Sequence, residues 1–120
     1  ICYSVIHYVH PTHSIFTFLD AALSLLKSGG SMLIGDIPNF SMRNRLLLSP
    51  TGIEFHKKYT QTDSLPEPLK YKEIDNEIDD AIISSIWLHY RLRGFNVFIL
   101  PQADSLPMAN RREDILICKL

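Results

Sequence analysis

The sequence predicts an α/β fold with a partly parallel sheet, and two observations carry this prediction. A strand-like, a helical and a second strand-like segment follow one another across residues 1–37 with short joints, the pattern of a βαβ unit with a parallel crossover. Near the other end, a helical segment is followed by two strand-like segments with no helix between them, which predicts an antiparallel pair. The predicted order is β-α-β, a helical insert, and α-β-β with a terminal antiparallel hairpin.

The βαβ unit is predicted from side-chain pattern. Residues 1–9 are rich in β-branched and aromatic side chains, which favours a strand. Residues 12–28 repeat apolar side chains at spacings of three and four, so they are predicted to form a helix. Gly29 and Gly30 are expected to close that helix, and residues 31–37 to form the second strand.

The rest of the chain begins with a helical and loop insert predicted over residues 40–75. Its predicted parts are a helix over 41–48, a helix capped by Ser49 and ending at Tyr59, and a loop over 61–68. A cluster of acids is expected to begin the next helix, over 76–93, by opposing the positive end of its dipole: Glu73, Asp75, Glu77, Asp79 and Asp80. Residues 95–100 and 114–120 are the predicted hairpin strands.

Composition excludes several classes of protein. The 120 residues are 46% hydrophobic and 21% charged, with a formal net charge of −1, as in ordinary soluble domains. This charge balance predicts neither a nucleic-acid nor a membrane partner, and no apolar run approaches the roughly 20 residues that span a bilayer. Two cysteines make no disulfide framework, so a cytoplasmic location is expected. Because the chain begins inside a predicted core strand, we expect it to be part of a longer protein.

Two segments carry a resemblance to a known family. The run Tyr-Ser-Val-Ile-His-Tyr-Val at residues 3–9 and the run Leu-Leu-Lys-Ser-Gly-Gly at residues 25–30, followed by a strand, resemble strands four and five of class I S-adenosylmethionine-dependent methyltransferases. Ser28 replaces the proline that is common in that segment of the family. Gly94 and Phe95 resemble the residues that precede the family's closing hairpin of strands six and seven.

The resemblance implies that residues 1–120 are the C-terminal half of a Rossmann-like methyltransferase domain. The parent protein would then be an S-adenosylmethionine-dependent enzyme acting on a small molecule, such as a sugar or surface-polysaccharide precursor. The family holds the cofactor by a glycine-rich loop and by an acidic residue on strands one and two, and no Gly-x-Gly run occurs here. We therefore expect this half to be inactive alone and to bind no cofactor tightly. A non-catalytic α/β assembly module and a nucleotide-sugar-binding α/β protein are the alternatives.

Candidate site residues follow from the rule that ligands of open α/β sheets lie beyond the carboxyl ends of the strands. At the first end, the resemblance places His7 and Tyr8 near the methyl donor or acceptor; His7 is a candidate general base and Tyr8 a candidate cofactor contact. The alternative for His7 is simple packing at a strand end. At the second end, Asp36 is a candidate catalytic residue that orients the acceptor or stabilises positive charge near the sulfonium, the alternative being a turn residue.

Three further residues are candidates for binding the acceptor. Asn39 is expected to hydrogen-bond the acceptor, and Arg43 and Arg45 to recognise an anionic group on it, although arginines in such a segment more often form a solvated surface. His7, His10 and His13 cross a strand end, a proline and a helix start, so no metal site is predicted. An unpaired strand over residues 1–9 would recruit another strand, which predicts a homo-oligomer through that edge.

Overall fold

The computed structural model describes residues 1–68 and 76–120, which form four strands and five helices. The strands are β1 (Cys2–Tyr3), β2 (Ser31–Pro38), β3 (Asn96–Pro101) and β4 (Arg112–Cys118), and the helices are α1 (Ile6–Val9), α2 (Ile15–Ser24), α3 (Phe40–Leu48), α4 (Pro50–Thr60) and α5 (Asp80–Leu92). They build one open sheet in the order β1-β2-β4-β3. The predicted α/β class is confirmed. The predictions for Glu73 and Asp75 and for the end of the insert lie outside the described residues.

Strand β2 lies inside the sheet and pairs with strands of both directions. It is parallel to β1, as the predicted βαβ unit requires, and antiparallel to β4. Strand β4 is also antiparallel to β3, so the predicted terminal hairpin is confirmed. A register shift interrupts the β2–β4 ladder between Ile34 and Ile37, and Asp36 within it has a left-handed φ of 61°. This irregularity bends β2 and changes the direction in which the side chains near its end point.

Helices α2 and α5 share one hydrophobic core with one face of the sheet. Their buried side chains pack with the inward-facing residues of the strands: Ile15, Leu19, Leu23, Ile83, Ile86, Tyr90, Met32, Ile34, Val97, Ile115 and Ile117. The Tyr90 hydroxyl donates hydrogen bonds to the Phe16 carbonyl at 3.3 Å and to Asp20 at 3.0 Å, which ties α5 to α2. The other face carries Leu33, Leu116 and Phe98 side by side, and these remain partly or fully exposed.

The predicted strand over residues 1–9 is wrong. Only Cys2 and Tyr3 are extended, and α1 begins at Ile6. The reason is Ser4, which takes a left-handed φ of 56° and whose hydroxyl donates a hydrogen bond to Asp36. A left-handed residue ends the pleat, so the following apolar residues turn into a helix that buries Ile6 beneath it.

Other predicted boundaries shift because capping side chains decide where helices begin. Helix α2 starts after Ser14, whose hydroxyl accepts from the Thr17 amide at 3.5 Å, and ends well before Gly29. Helix α5 starts at Asp80 because the Asp79 carboxylate accepts from the Ile82 amide at 2.9 Å. The predicted cap at Ser49 is confirmed, and its hydroxyl accepts from the Gly52 amide at 3.1 Å.

Two predicted absences can be compared with the described part of the chain. Within residues 1–68 and 76–120, no helix combines the length and apolar character that crossing a bilayer demands. Both cysteines carry free thiols, with Cys2 in β1 and Cys118 in β4.

Candidate functional site

Polar side chains converge where the sheet presents its strand ends. Strands β1, β2 and β3 run in the same direction, so their carboxyl ends meet at one edge, where the antiparallel β4 begins. This edge brings together Ser4, Asp36, Gln102 and Arg112 from four separate segments of the chain. We call these four residues, together with Asp114, the edge cluster. The convergence is the ligand-binding position of an open α/β sheet.

Asp36 is the centre of the edge cluster and is 8% exposed. One carboxylate oxygen accepts from Arg112 Nη1 at 2.5 Å and from the Ser4 hydroxyl, and the other from Gln102 Nε2 at 3.4 Å. Its backbone amide donates to Asp114 Oδ1 at 2.9 Å. The left-handed backbone and the hydrogen bonds together hold the carboxylate in one position, as a functional group at a strand end requires.

The charge state of Asp36 follows from these partners. Burial raises the pKa of the carboxyl group, but the hydrogen bonds from Ser4, Arg112 and Gln102 and the charge of Arg112 together outweigh burial. The pKa therefore lies below its ordinary value, and Asp36 is ionised at neutral pH. An ionised carboxylate with a guanidinium partner is a fixed charge pair that positions Arg112, rather than a proton donor.

Sequence reasoning missed four members of the edge cluster: Ser4, Gln102, Arg112 and Asp114. Gln102 is buried and donates to Asp114 Oδ1 at 3.1 Å, while its own Oε1 atom has no hydrogen-bond partner. A buried amide oxygen without a partner is costly and marks a place where a ligand donor or water would be favourable. The sequence offered one indication of these residues, which is that each lies in or next to a predicted strand, as Asp36 does.

Asn39 is 2% exposed and serves the fold. Its side-chain oxygen caps α3 by accepting from the Met42 amide at 3.1 Å. Its side-chain nitrogen donates to Asp80 Oδ1 at 2.8 Å and to Glu113 Oε1 at 2.5 Å, so both of its donors are already used. The side chain borders a cleft but has no hydrogen free for a ligand.

The two predicted arginines have different surroundings. Arg45 forms an ion pair with Asp80, and its hydrogen bond lowers the pKa of Asp80 while Asp80 raises the pKa of Arg45. Arg43 instead lies 5.9 Å from the centre of the Phe40 ring and lines a cleft of about 220 Å³. That cleft is also lined by Arg111 and Arg112 and adjoins the edge cluster through Arg112.

His7 and Tyr8 lie on α1, just beyond the end of β1, rather than on a strand. Their ring centres are 4.2 Å apart, and Tyr8 is 73% exposed. The buried Nδ1 atom of His7 has no hydrogen-bond partner. No hydrogen bond joins either residue to the edge cluster in the described structure, so α1 places them near this edge without a direct link to Asp36.

In the part of the chain that the structure describes, no three histidine, cysteine, aspartate or glutamate side chains are grouped to hold a metal ion. His13 Nδ1 lies 2.8 Å from the Thr12 hydroxyl.

Comparison of the chain with protein-family models, curated proteins and solved structures found no match. Function is therefore inferred from the sheet and from the residues at its edge.

Proposed function

We propose that the chain is the acceptor-side half of an S-adenosylmethionine-dependent methyltransferase acting on a small molecule, and that this half is inactive alone. The observation that carries the proposal is the convergence of Ser4, Asp36, Gln102 and Arg112 at the carboxyl edge of a parallel pair of strands closed by an antiparallel hairpin. In the resemblance described above, β1 to β4 correspond to strands four to seven of that fold.

Each side chain has a proposed role in methyl transfer. The reaction is a displacement in line with the breaking bond, so the protein contributes alignment, exclusion of water and a proton acceptor. Asp36 is a positioning residue that fixes Arg112 beside the acceptor cleft. His7, whose Nδ1 atom has no partner, is the proposed proton acceptor. Arg43 binds an anionic group of the acceptor, and Tyr8 is the proposed cofactor contact.

The described residues do not by themselves fit S-adenosylmethionine. The cofactor carries a positive sulfonium, whereas the Asp36 carboxylate at the sheet edge is already paired with Arg112. The sequence also has no Gly-x-Gly turn that would let the backbone approach the cofactor. For both reasons we assign the main cofactor contacts, apart from Tyr8, to the other half of the fold.

The coding sequence immediately upstream of Ile1 tests the proposal. We expect it to encode a strand, a glycine-rich turn and a later acidic residue at the end of a second strand. An upstream region that encodes neither the glycine-rich turn nor the later acidic residue would contradict a methyltransferase.

An assembly role is the second candidate, because within residues 1–68 and 76–120 one edge of the sheet is unpaired and one face keeps exposed apolar side chains. Strand β1 pairs on one side only, and Tyr3 and Phe98 are 46% and 45% exposed on the face opposite α2 and α5. We propose that a second copy of the chain pairs at this edge, although two residues of strand are a shorter template than the sequence predicted. Light scattering at high concentration should give a dimer mass; a monomer mass would contradict this candidate.

A further inference from the structure

Two clefts beside the edge cluster share one residue. An apolar cleft of about 180 Å³ lies between α3, α4 and a short 3-10 helix, Ala109–Arg111. The basic cleft of about 220 Å³ described above lies next to it. Arg111 lines both. A ligand that reaches across Arg111 would contact an apolar surface on one side and cationic groups on the other.

Stacked aromatic rings form one wall of the apolar cleft. Phe55 and Tyr59 lie one turn apart on α4, their ring centres 6.1 Å apart and their planes within 14° of parallel. They are nevertheless 64% and 80% exposed. Exposed aromatic rings at the mouth of a cleft offer a stacking surface to a flat ring. Thr51, His56 and Asn110 add a few polar groups to the same lining, a mixture typical of small-molecule sites.

Two arginines of the basic cleft are without an ion-pair partner among the described residues. Arg112 is neutralised by Asp36, and Glu77 is the acid that lines the cleft. Neither Arg43 nor Arg111 forms an ion pair within residues 1–68 and 76–120, and Arg111 Nε is buried without a hydrogen-bond partner. These two guanidinium groups are available to pair with an anion, with Glu77 in the lining and Glu113 behind Asn39 as nearby acids. Guanidinium groups bind phosphate and carboxylate with paired hydrogen bonds.

We propose that the two clefts form one binding site for a ligand in which a flat aromatic group is tethered to an anion. The aromatic group lies against Phe55 and Tyr59, and the anion is held between Arg111 and Arg43. Nucleotides and aryl carboxylic acids share this chemistry. The proposal rests on the proposed function for the ligand's role as methyl acceptor, whereas the binding itself requires no methyl transfer.

Matched pairs of probes test the site on the chain as it stands. Calorimetry would compare uridine diphosphate with uridine, and 2-naphthoate with its neutral isostere 2-naphthamide. At least one anion should bind about tenfold or more tightly than its neutral partner, as expected for a charge-assisted contact. Binding of uridine diphosphate alone assigns a nucleotide ligand, and binding of naphthoate alone an aryl acid.

Two variants examine the opposite ends of the site. Arg111→Gln and Tyr59→Ser should each weaken the preferred anion by about tenfold. Both should fold normally, because within residues 1–68 and 76–120 the Arg111 side chain forms no ion pair and its Nε atom has no hydrogen-bond partner, and because Tyr59 is exposed. Lys27→Gln is the control, since it removes the same charge from an exposed turn before β2 and should bind like the original chain.

Three results would overturn the site: neutral probes binding as well as the anions, no binding of either anion, or Arg111→Gln binding like Lys27→Gln. None of these bears on whether the upstream coding sequence contains the glycine-rich turn. Failure of this site and failure of the methyltransferase proposal are therefore distinguishable.

Discussion

Asp36 shows how much of the site depends on one residue. Its place near the end of an apolar strand was predictable, because the polar residue that follows an apolar strand run lies towards the sheet edge. Its partners were not, since Ser4, Gln102 and Arg112 come from positions 32, 66 and 76 residues away in sequence. Only the pairing of four strands brings them together.

Two substitutions of Asp36 distinguish the contribution of its charge to stability from that of its backbone conformation. Asp36→Ala should lower the free energy of unfolding by about 2–3 kcal/mol, because it leaves Arg112 without its partner and puts a left-handed φ on alanine. Asp36→Asn should cost less, since asparagine tolerates this φ and keeps a hydrogen-bond acceptor. Urea denaturation at neutral pH measures both; equal stability of Asp36→Ala and the original chain would show that the cluster does not stabilise the fold.

The same carboxylate predicts a pH dependence. The pKa of Asp36 is lower in the folded than in the unfolded chain, so its stabilisation is complete above the ordinary pKa of about 4 and is lost as the pH falls through the folded value. The stability gap between the original chain and Asp36→Asn should therefore narrow on acidification below about pH 4. A gap that widens instead would contradict the assigned pKa direction.

The pKa of Tyr90 is shifted in the opposite direction to that of Asp36, so its effect on stability is expected at alkaline pH. Burial, followed by the hydrogen bond and charge of Asp20, raises the pKa of this phenol, so the folded chain favours the neutral form. The resulting stability is complete below the ordinary tyrosine pKa of about 10 and is lost as the pH rises above it. Tyr90→Phe should cost about 1 kcal/mol at neutral pH and should unfold less steeply with rising pH. Identical alkaline profiles for the two chains would contradict this account.

At the scale of elements, capping decided which predictions held. The parallel pairing of the βαβ unit, the hairpin and the Ser49 cap follow from local patterns, and the structure confirms each. The strand over residues 1–9 failed because β-branched and aromatic side chains favour a strand only where the backbone can stay extended, and Ser4 is left-handed. That conformation is stabilised by a hydrogen bond from Ser4 to Asp36. The two residues are 32 positions apart, so the pattern of residues 1–9 alone could not indicate it.

Gly52 fixes the angle between α3 and α4, and thus one wall of the apolar cleft. A Cβ atom there would lie 1.8 Å from the Leu46 carbonyl oxygen, so Gly52→Ala must push the two helices apart. We expect a loss of about 2–3 kcal/mol in unfolding free energy. Thr51→Ala, an exposed neighbour on the same helix, is the control and should change stability by less than about 0.5 kcal/mol. Equal changes in unfolding free energy for the two substitutions would show that α3 and α4 can accommodate a Cβ atom at position 52.

At the scale of the whole molecule, the sheet is covered on one face and polar at one edge. Helices α2 and α5 bury the inner face, while Leu33, Leu116 and Phe98 line the other without a helix among the described residues packed on them. The sequence predicted the class of fold and the position of Asp36, but neither the edge cluster nor the paired clefts, because these depend on strand order and helix packing.

Cofactor binding is the most direct test of the proposal that this chain is the acceptor-side half of a methyltransferase. S-adenosylhomocysteine would be titrated by calorimetry into this chain and into the same chain extended by the sequence encoded directly upstream of Ile1. We expect micromolar binding to the extended polypeptide and binding weaker by about a hundredfold or more to the chain alone, since the proposal places the backbone contacts to the cofactor in the other half. Micromolar binding to the 120-residue chain, or none to the extended one, would contradict it.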